Sequence, residues 1–214
     1  MVRAVVFDVG ETLIDETRIF SRWADRLEVP RGTFLGLVGA CAAADRPLVE
    51  AFELVRPGLD LPSEMARWAA EDPTGLRENF DADDLYDDVR PALSALRDAG
   101  LAVVVAGNQP PQARAAIEAM DLPVDAIRTS DEWGVEKPAP AFFDRVAELA
   151  GHAASDIAYV GDRLDNDVLP AADAGMRPVL VRRGPWGYWH ATRPEAARVD
   201  VVDSLAELVG LLTR

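Results

Sequence analysis

Short apolar runs recur along the chain, each closed by a turn signal and followed by a segment with apolar positions three to four residues apart. The runs are Ala4-Val5-Val6-Phe7, Ala102-Val103-Val104-Val105, Ala126-Ile127-Arg128, Ile157-Ala158-Tyr159-Val160 and Val179-Leu180-Val181. Most are continuous rather than alternating, the pattern of strands covered on both faces in a parallel sheet. Helical periodicity fills 91–99, 111–120, 140–150 and 168–174, and Gly100, Gly151 and Gly175 stand where C-terminal caps are expected. A shorter strand-like run, 199–202, precedes a last helix over 204–212. Strand and helix in alternation predict an α/β fold, a Rossmann-like doubly wound parallel sheet.

One stretch breaks the rhythm. Residues 15–84 contain no Val-rich strand, only helical segments at 19–27, 33–44 and 63–70, with bends at Pro57-Gly58, Pro62 and 72–75. The expected organisation is a core of 1–14 and 85–214, with 15–84 inserted after the first strand as an α-helical cap domain over the sheet's C-terminal edge.

A chain of 214 residues can hold one α/β domain, or such a core plus a smaller insertion. The formal net charge of −15 offers no basic surface to a phosphate backbone, which argues against a nucleic-acid partner. The single cysteine, Cys41, cannot form an internal disulfide and lies in a small apolar run, as a buried, inert thiol would. The chain enters its first strand without a signal-peptide layout, and no apolar stretch approaches the ~20 residues that span a bilayer. The expectation is a soluble cytoplasmic protein with no membrane partner.

Chemistry can sit in four places. Asp8 ends the first strand before Gly10, so its carboxylate falls at the C-terminal sheet edge where open α/β folds bind ligands, although an Asp-x-Gly sequence also makes turns. Gly107-Asn108 ends the next strand, where a polar Asn meets substrate oxygens or simply turns the chain. Lys137 is the only lysine among 22 basic residues, in a chain that otherwise uses arginine. A compact ammonium at that position suits an anionic group, though an exposed lysine has the same sequence signature. Finally, Asp162, Asp165 and Asp167 follow a buried strand within six residues, the oxygen-rich ligand type that Mg2+ favours, or else a loop with a capping Asp.

In this order the four sites resemble the haloacid dehalogenase-like hydrolases. The resemblance covers about 1–14 and 85–210 and is strongest at Gly134-Val135-Glu136-Lys137-Pro138 and from Val160-Gly161-Asp162 to Asn166-Asp167. It implies that Asp8 attacks phosphorus to form an aspartyl-phosphate, with Lys137 neutralising nucleophile and phosphate. It further implies Mg2+ on Asp8, the Gly10 carbonyl, Asp162 and Asp167, with substrate bound by Gly107, Asn108 and Lys137. The implied substrate is a small phosphorylated metabolite or another small anion, and the implied activity is phosphatase-type hydrolysis.

Two positions depart from the family pattern. Gly10 stands where the phosphatases usually carry a second Asp that protonates the leaving group and activates water. Gly107 replaces the usual Ser or Thr. A positioned acid–base contributes roughly 10²–10⁴-fold, so hydrolysis should be slow or confined to good leaving groups. The alternative is a catalytically impaired member kept as a binding or regulatory module. Dehalogenase and phosphonate-hydrolase branches fit poorly, because there is no Tyr at position 10 and no lysine in 15–84. Glu11 is expected to be an exposed turn residue rather than a substitute acid. His152 and His190 stand too isolated for a role, and the aromatic run 184–190 reads as local packing. In the insertion, Arg18, Arg22, Trp23 and Arg46 are candidates to face the site.

Overall fold

A computed structural model describes residues 1–214. Its sheet has six parallel strands: β1 (Ala4–Phe7), β2 (Ala102–Gly107), β3 (Ala126–Thr129), β4 (Ile157–Gly161), β5 (Arg177–Val181) and β6 (Asp200–Val202). They are ordered β3-β2-β1-β4-β5-β6, every neighbouring pair parallel. The order reverses beside β1, the switch point at which doubly wound sheets open a crevice at their carboxyl ends.

The continuous apolar runs have the two-sided burial they predict. Val5, Phe7, Val103, Val105, Ala158 and Val160 join one core, packed with Leu93 and Leu96 and with Leu205 and Leu208. The alternate residues Ala4, Val6, Val104, Ile157 and Tyr159 join a second core with Phe142, Phe143 and Val146. A period of two thus sends successive side chains to opposite faces, and helices cover both. Edge strand β3 is the exception: Ala126, Ile127 and Arg128 are only partly buried, because one side lacks a neighbouring strand.

The stretch after β1 holds four helices: α1 (Thr17–Arg26), α2 (Arg31–Ala43), α3 (Val49–Val55) and α4 (Leu61–Glu71). Of these, α3 is absent from the periodicity reading, which its seven residues are too short to show. Trp23 meets Phe52 and Trp68 edge-on, each at 5.0 Å between ring centroids, and Phe34 meets Phe52 at 5.0 Å. These rings continue without a break into the core on one sheet face. The two ends of the stretch lie side by side, Asp15 N donating to Asp84 O at 2.8 Å and Tyr86 N to Leu13 O at 3.1 Å.

The remaining helices are α5 (Val89–Asp98), α6 (Pro111–Ala119), α7 (Ser130–Trp133), α8 (Pro140–Ala150), α9 (Leu169–Asp173), α10 (Gly184–His190) and α11 (Leu205–Leu212). Gly100, Gly151 and Gly175 follow their helices at positive φ, as their capping role requires. The helix expected over 168–174 begins later, because Leu164–Val168 forms a π-helical turn in which Val168 N reaches back to Arg163 O at 3.1 Å. Such wide turns recur at functional sites. The aromatic run 184–190 is helical, contacting α2 with Trp186 buried and Tyr188 and Trp189 exposed. Cys41 is a buried free thiol. No helix is long and apolar enough to cross a membrane.

Candidate active site

The ends of β1, β2 and β4 converge at the switch point, where the aspartates that follow β1 and β4 meet a lysine from the connection between α7 and α8. Asp8, Lys137, Asp162 and Asp167 are all buried. The Lys137 Nζ donates to Asp8 Oδ1 at 2.6 Å and to Asp167 Oδ1 at 2.5 Å. It also lies 5.8 Å from the centre of the Tyr159 ring. Burial alone would lower the lysine's pKa, but Asp167 and Asp8 more than offset it and hold the ammonium well above its usual range.

One ammonium does not balance three carboxylates. Ligand oxygens of Asp8, Asp162 and Asp167 lie within 4.8 Å of one another. Burial, and after it the charges of Asp167, Asp8, Glu11 and Glu16, push the Asp162 carboxyl well above its ordinary range. Asp167 is raised to about 6, by burial first, although Lys137 and the Arg163 backbone N–H pull against this. Buried carboxylates of this density need a cation or protons. Their hard oxygens and spacing fit a divalent metal ion, so this cluster can bind one.

Asn108 does not hang free into the site. Its Oδ1 accepts from Lys137 N at 2.8 Å, and its Nδ2 donates to Lys137 O at 3.0 Å. Both ends of the amide therefore clamp the backbone that carries the lysine. At Gly107 a Cβ would fall 2.3 Å from Asp8 Oδ1, so the missing side chain admits the carboxylate in its present rotamer.

Glu11 departs most from expectation. It is 6% exposed rather than a solvent-facing turn residue, in the left-handed region at φ 49°. Tyr86 Oη donates to its Oε2 at 2.5 Å, and Gly184 gives it room, since a Cβ there would lie 2.5 Å from Glu11 Cγ. Arg183 lies over the Tyr86 ring at 4.2 Å and donates to Thr12 O at 2.7 Å. Burial raises Glu11 to about 7, partly opposed by the Tyr86 hydrogen bond.

The four insertion candidates lie elsewhere. Arg18 pairs with Asp81 and Asp84, Arg22 donates to the carbonyls of Arg77 and Asn79, Arg46 pairs with Glu50, and Trp23 is buried among aromatic rings. The insertion instead sends Glu16 and Leu48 to the cavity of about 290 Å3 that holds Asp8, Lys137 and Asp162, with Trp186 and Arg163 on its wall. None of these four was singled out as a site residue from the sequence; Glu16 lies three residues before the helical pattern that starts at residue 19, and Trp186 falls in the aromatic run read as local packing. Of the isolated histidines, His190 is buried, its Nδ1 accepting from Leu164 N at 2.9 Å, and His152 is partly exposed without a polar partner.

The fold and site together define a doubly wound α/β protein with a buried carboxylate cluster able to hold a metal ion. The model of the haloacid dehalogenase-like hydrolases matches residues 2–175, and the chain belongs to that family. A glyceraldehyde 3-phosphate phosphatase of Methanopyrus kandleri is 38% identical over 104 residues, which is 47% of this chain and 45% of that protein. The chain thus matches less than half the length of this curated relative. Two solved structures share the fold. The L-2-haloacid dehalogenase of Xanthobacter autotrophicus with chloropropionic acid covalently bound has a TM-score of 0.69 at 22% identity, covering 99% of this chain and 98% of that one. The hydrolase YfnB of Bacillus subtilis, bound to magnesium, has a TM-score of 0.68 at 18% identity, with 99% and 98% covered.

Proposed function

We propose that the chain is a Mg2+-dependent phosphatase of small phosphorylated metabolites, with Asp8 as nucleophile and residues 15–84 as a cap over the site. The observation that carries this reading is the Lys137 ammonium, 2.6 Å from Asp8 Oδ1 and 2.5 Å from Asp167 Oδ1, in a carboxylate cluster that it cannot neutralise alone. A dehalogenase has no need of such a cluster, whereas displacement at an anionic phosphate does. The phosphatase among the sequence relatives and the magnesium in a structure of the same fold support the same choice.

Asp8, the Gly10 carbonyl, Asp162 and Asp167 would hold the ion, which offsets their charge and lets an anionic substrate approach. Asp8 attacks phosphorus and carries the phosphoryl group until water removes it, so that one hard displacement becomes two easier ones. Lys137 holds the attacking carboxylate in place and supplies positive charge where the phosphate oxygens arrive. Asn108 fixes that lysine through its backbone, a positioning role in addition to any contact with substrate. Leu48 brings an apolar group from the cap to the cavity and helps to exclude water.

Phosphate release across a panel of sugar, acyl and aryl phosphates, with and without Mg2+, tests this reading. We expect turnover that requires the ion and falls on the order of 10⁴-fold or more in Asp8→Asn. Equal activity in that variant overturns the nucleophile assignment. Mg2+ binding with no turnover of any compound replaces the enzyme reading by that of a binding module.

A further inference from the structure

Gly10 opens a space, and one side chain fills it. The glycine is not among the residues at positive φ, so its backbone accepts any L-residue. What excludes a side chain is Glu16: a Cβ built on Gly10 would lie 2.8 Å from Glu16 Oε1, 3.0 Å from its Cδ and 3.2 Å from its Oε2. The Glu16 carboxyl group therefore stands directly in the path of a position-10 side chain. It shares the cavity with Asp8, Lys137 and Asp162. It has no structural employment there. Glu16 immediately precedes α1, yet its side chain does not cap that helix, and its carboxylate enters no ion pair or hydrogen bond with another side chain. By contrast Glu11, the nearer glutamate in sequence, is held by Tyr86.

We propose that Glu16 is the general acid–base of the reaction, reaching from the cap into the place that Gly10 leaves empty. This inference rests on the phosphatase reading above. In the first half-reaction an Asp8 oxygen bonds to phosphorus while the bond from phosphorus to the leaving oxygen breaks. The electron pair goes to that oxygen, and the Glu16 carboxylic acid gives it a proton, releasing an alcohol. In the second half, the Glu16 carboxylate takes a proton from water as the water oxygen bonds to phosphorus. The bond to Asp8 breaks with its electron pair returning to the carboxylate, and inorganic phosphate leaves. Glu16 ends protonated, ready for the next turnover. Because the acid comes from the insertion rather than from the strand that carries the nucleophile, placement of the cap and competence for proton transfer become one event.

Glu16→Gln, Glu16→Ala and the double variant Gly10→Asp/Glu16→Ala test the proposal, with Asp8→Asn as control. In Glu16→Gln, kcat/KM should fall about 10²–10⁴-fold for an alkyl phosphate. It should fall less than about tenfold for p-nitrophenyl phosphate, whose leaving group needs no proton. The same variant should release a stoichiometric burst of nitrophenolate and accumulate phosphoryl-enzyme, because the second step has lost its base. Mg2+ affinity measured by calorimetry should stay within about twofold. The double variant should recover at least about tenfold over Glu16→Ala on the alkyl phosphate, since removing Glu16 clears the space for a carboxylate carried at position 10. Equal losses on both substrates without a burst, unchanged kinetics, or a loss of Mg2+ affinity matching the loss of rate each overturn the proposal while leaving Asp8 in its role. A wild type without turnover, or an Asp8→Asn variant as active as wild type, overturns the phosphatase reading and this proposal with it.

Discussion

The strand ends and the inserted helices handle charge in opposite ways. At the ends of β1 and β4, three carboxylates share one lysine inside the protein, and the charges remain unequal. In the insertion nearly every cation has an anion or carbonyl of its own: Arg18 with Asp81 and Asp84, Arg26 with Glu64 and Glu71, Arg46 with Glu50. The first arrangement is costly without a ligand and so marks the place of chemistry. The second is self-satisfied and serves to fold the helices. Glu16 is an insertion carboxylate without such a partner, and it lies in the cavity of the first region.

Substitutions on the two sides should therefore fail differently. The largest effect on folding belongs to Trp23→Ala, which removes the ring that joins Phe52 and Trp68. We expect a loss of about 3–5 kcal/mol in urea unfolding, while the folded fraction binds Mg2+ as before. A large drop in ion affinity would mean that the two regions are less separate than their charges suggest. Next is Lys137→Met, which strands Asp8 and Asp167 beside Asp162. Stability should drop by about 3 kcal/mol without added metal, and Mg2+ should recover part of it. Failure of the ion to stabilise this variant would break the account of the cluster as a cation site.

A smaller effect lies at the seam, where Asp45 of the insertion meets Arg193 and, at 4.0 Å, His190. Burial holds the His190 pKa below its ordinary 6.5, with Arg163 and Arg193 acting in the same direction and Asp165 and Asp45 against it. Neutral Nδ1 accepts the Leu164 N–H. Because the folded pKa is the lower one, the unfolded chain binds the extra proton. The contribution is complete above 6.5 and is lost as pH falls through the native value. Urea midpoints should decline more in the wild type than in His190→Asn as the pH is lowered from about 7.5 to about 5.5; parallel curves would remove His190 from the seam's acid response. The smallest effect is expected for Arg46→Ala, whose partly exposed pair with Glu50 contributes within about 0.5 kcal/mol, with turnover unchanged. A change in KM would bring Arg46 back towards the cavity.

Much of this molecule was legible in its sequence. A strand's apolar run states its own burial, and the residue after it falls at the carboxyl edge whatever the rest of the chain does. Asp8, Asn108 and the Asp162–Asp167 loop could therefore be placed at that edge, and Lys137 stood out as the only lysine; each alone fitted a turn, a cap or an exposed residue as well, and only their order carried the family. The short helices α3 and α10 were not, since seven residues give too few turns for a period to emerge.

The chain alone determined that Gly10 lacks a carboxylate. Only the tertiary structure decided what stands there instead. The turn after Gly10, with Glu11 at φ 49° and buried beneath Tyr86, brings the start of α1 back over the glycine. That turn depends on Tyr86, Arg183 and Gly184, residues far downstream in the chain. Spacing along the sequence reports which face of a strand or helix a residue takes, because those periods are local. Both neighbouring glutamates line the cavity; which of them is tied to a tyrosine and which stands against Gly10 depends on contacts between distant segments, and no local period encodes it.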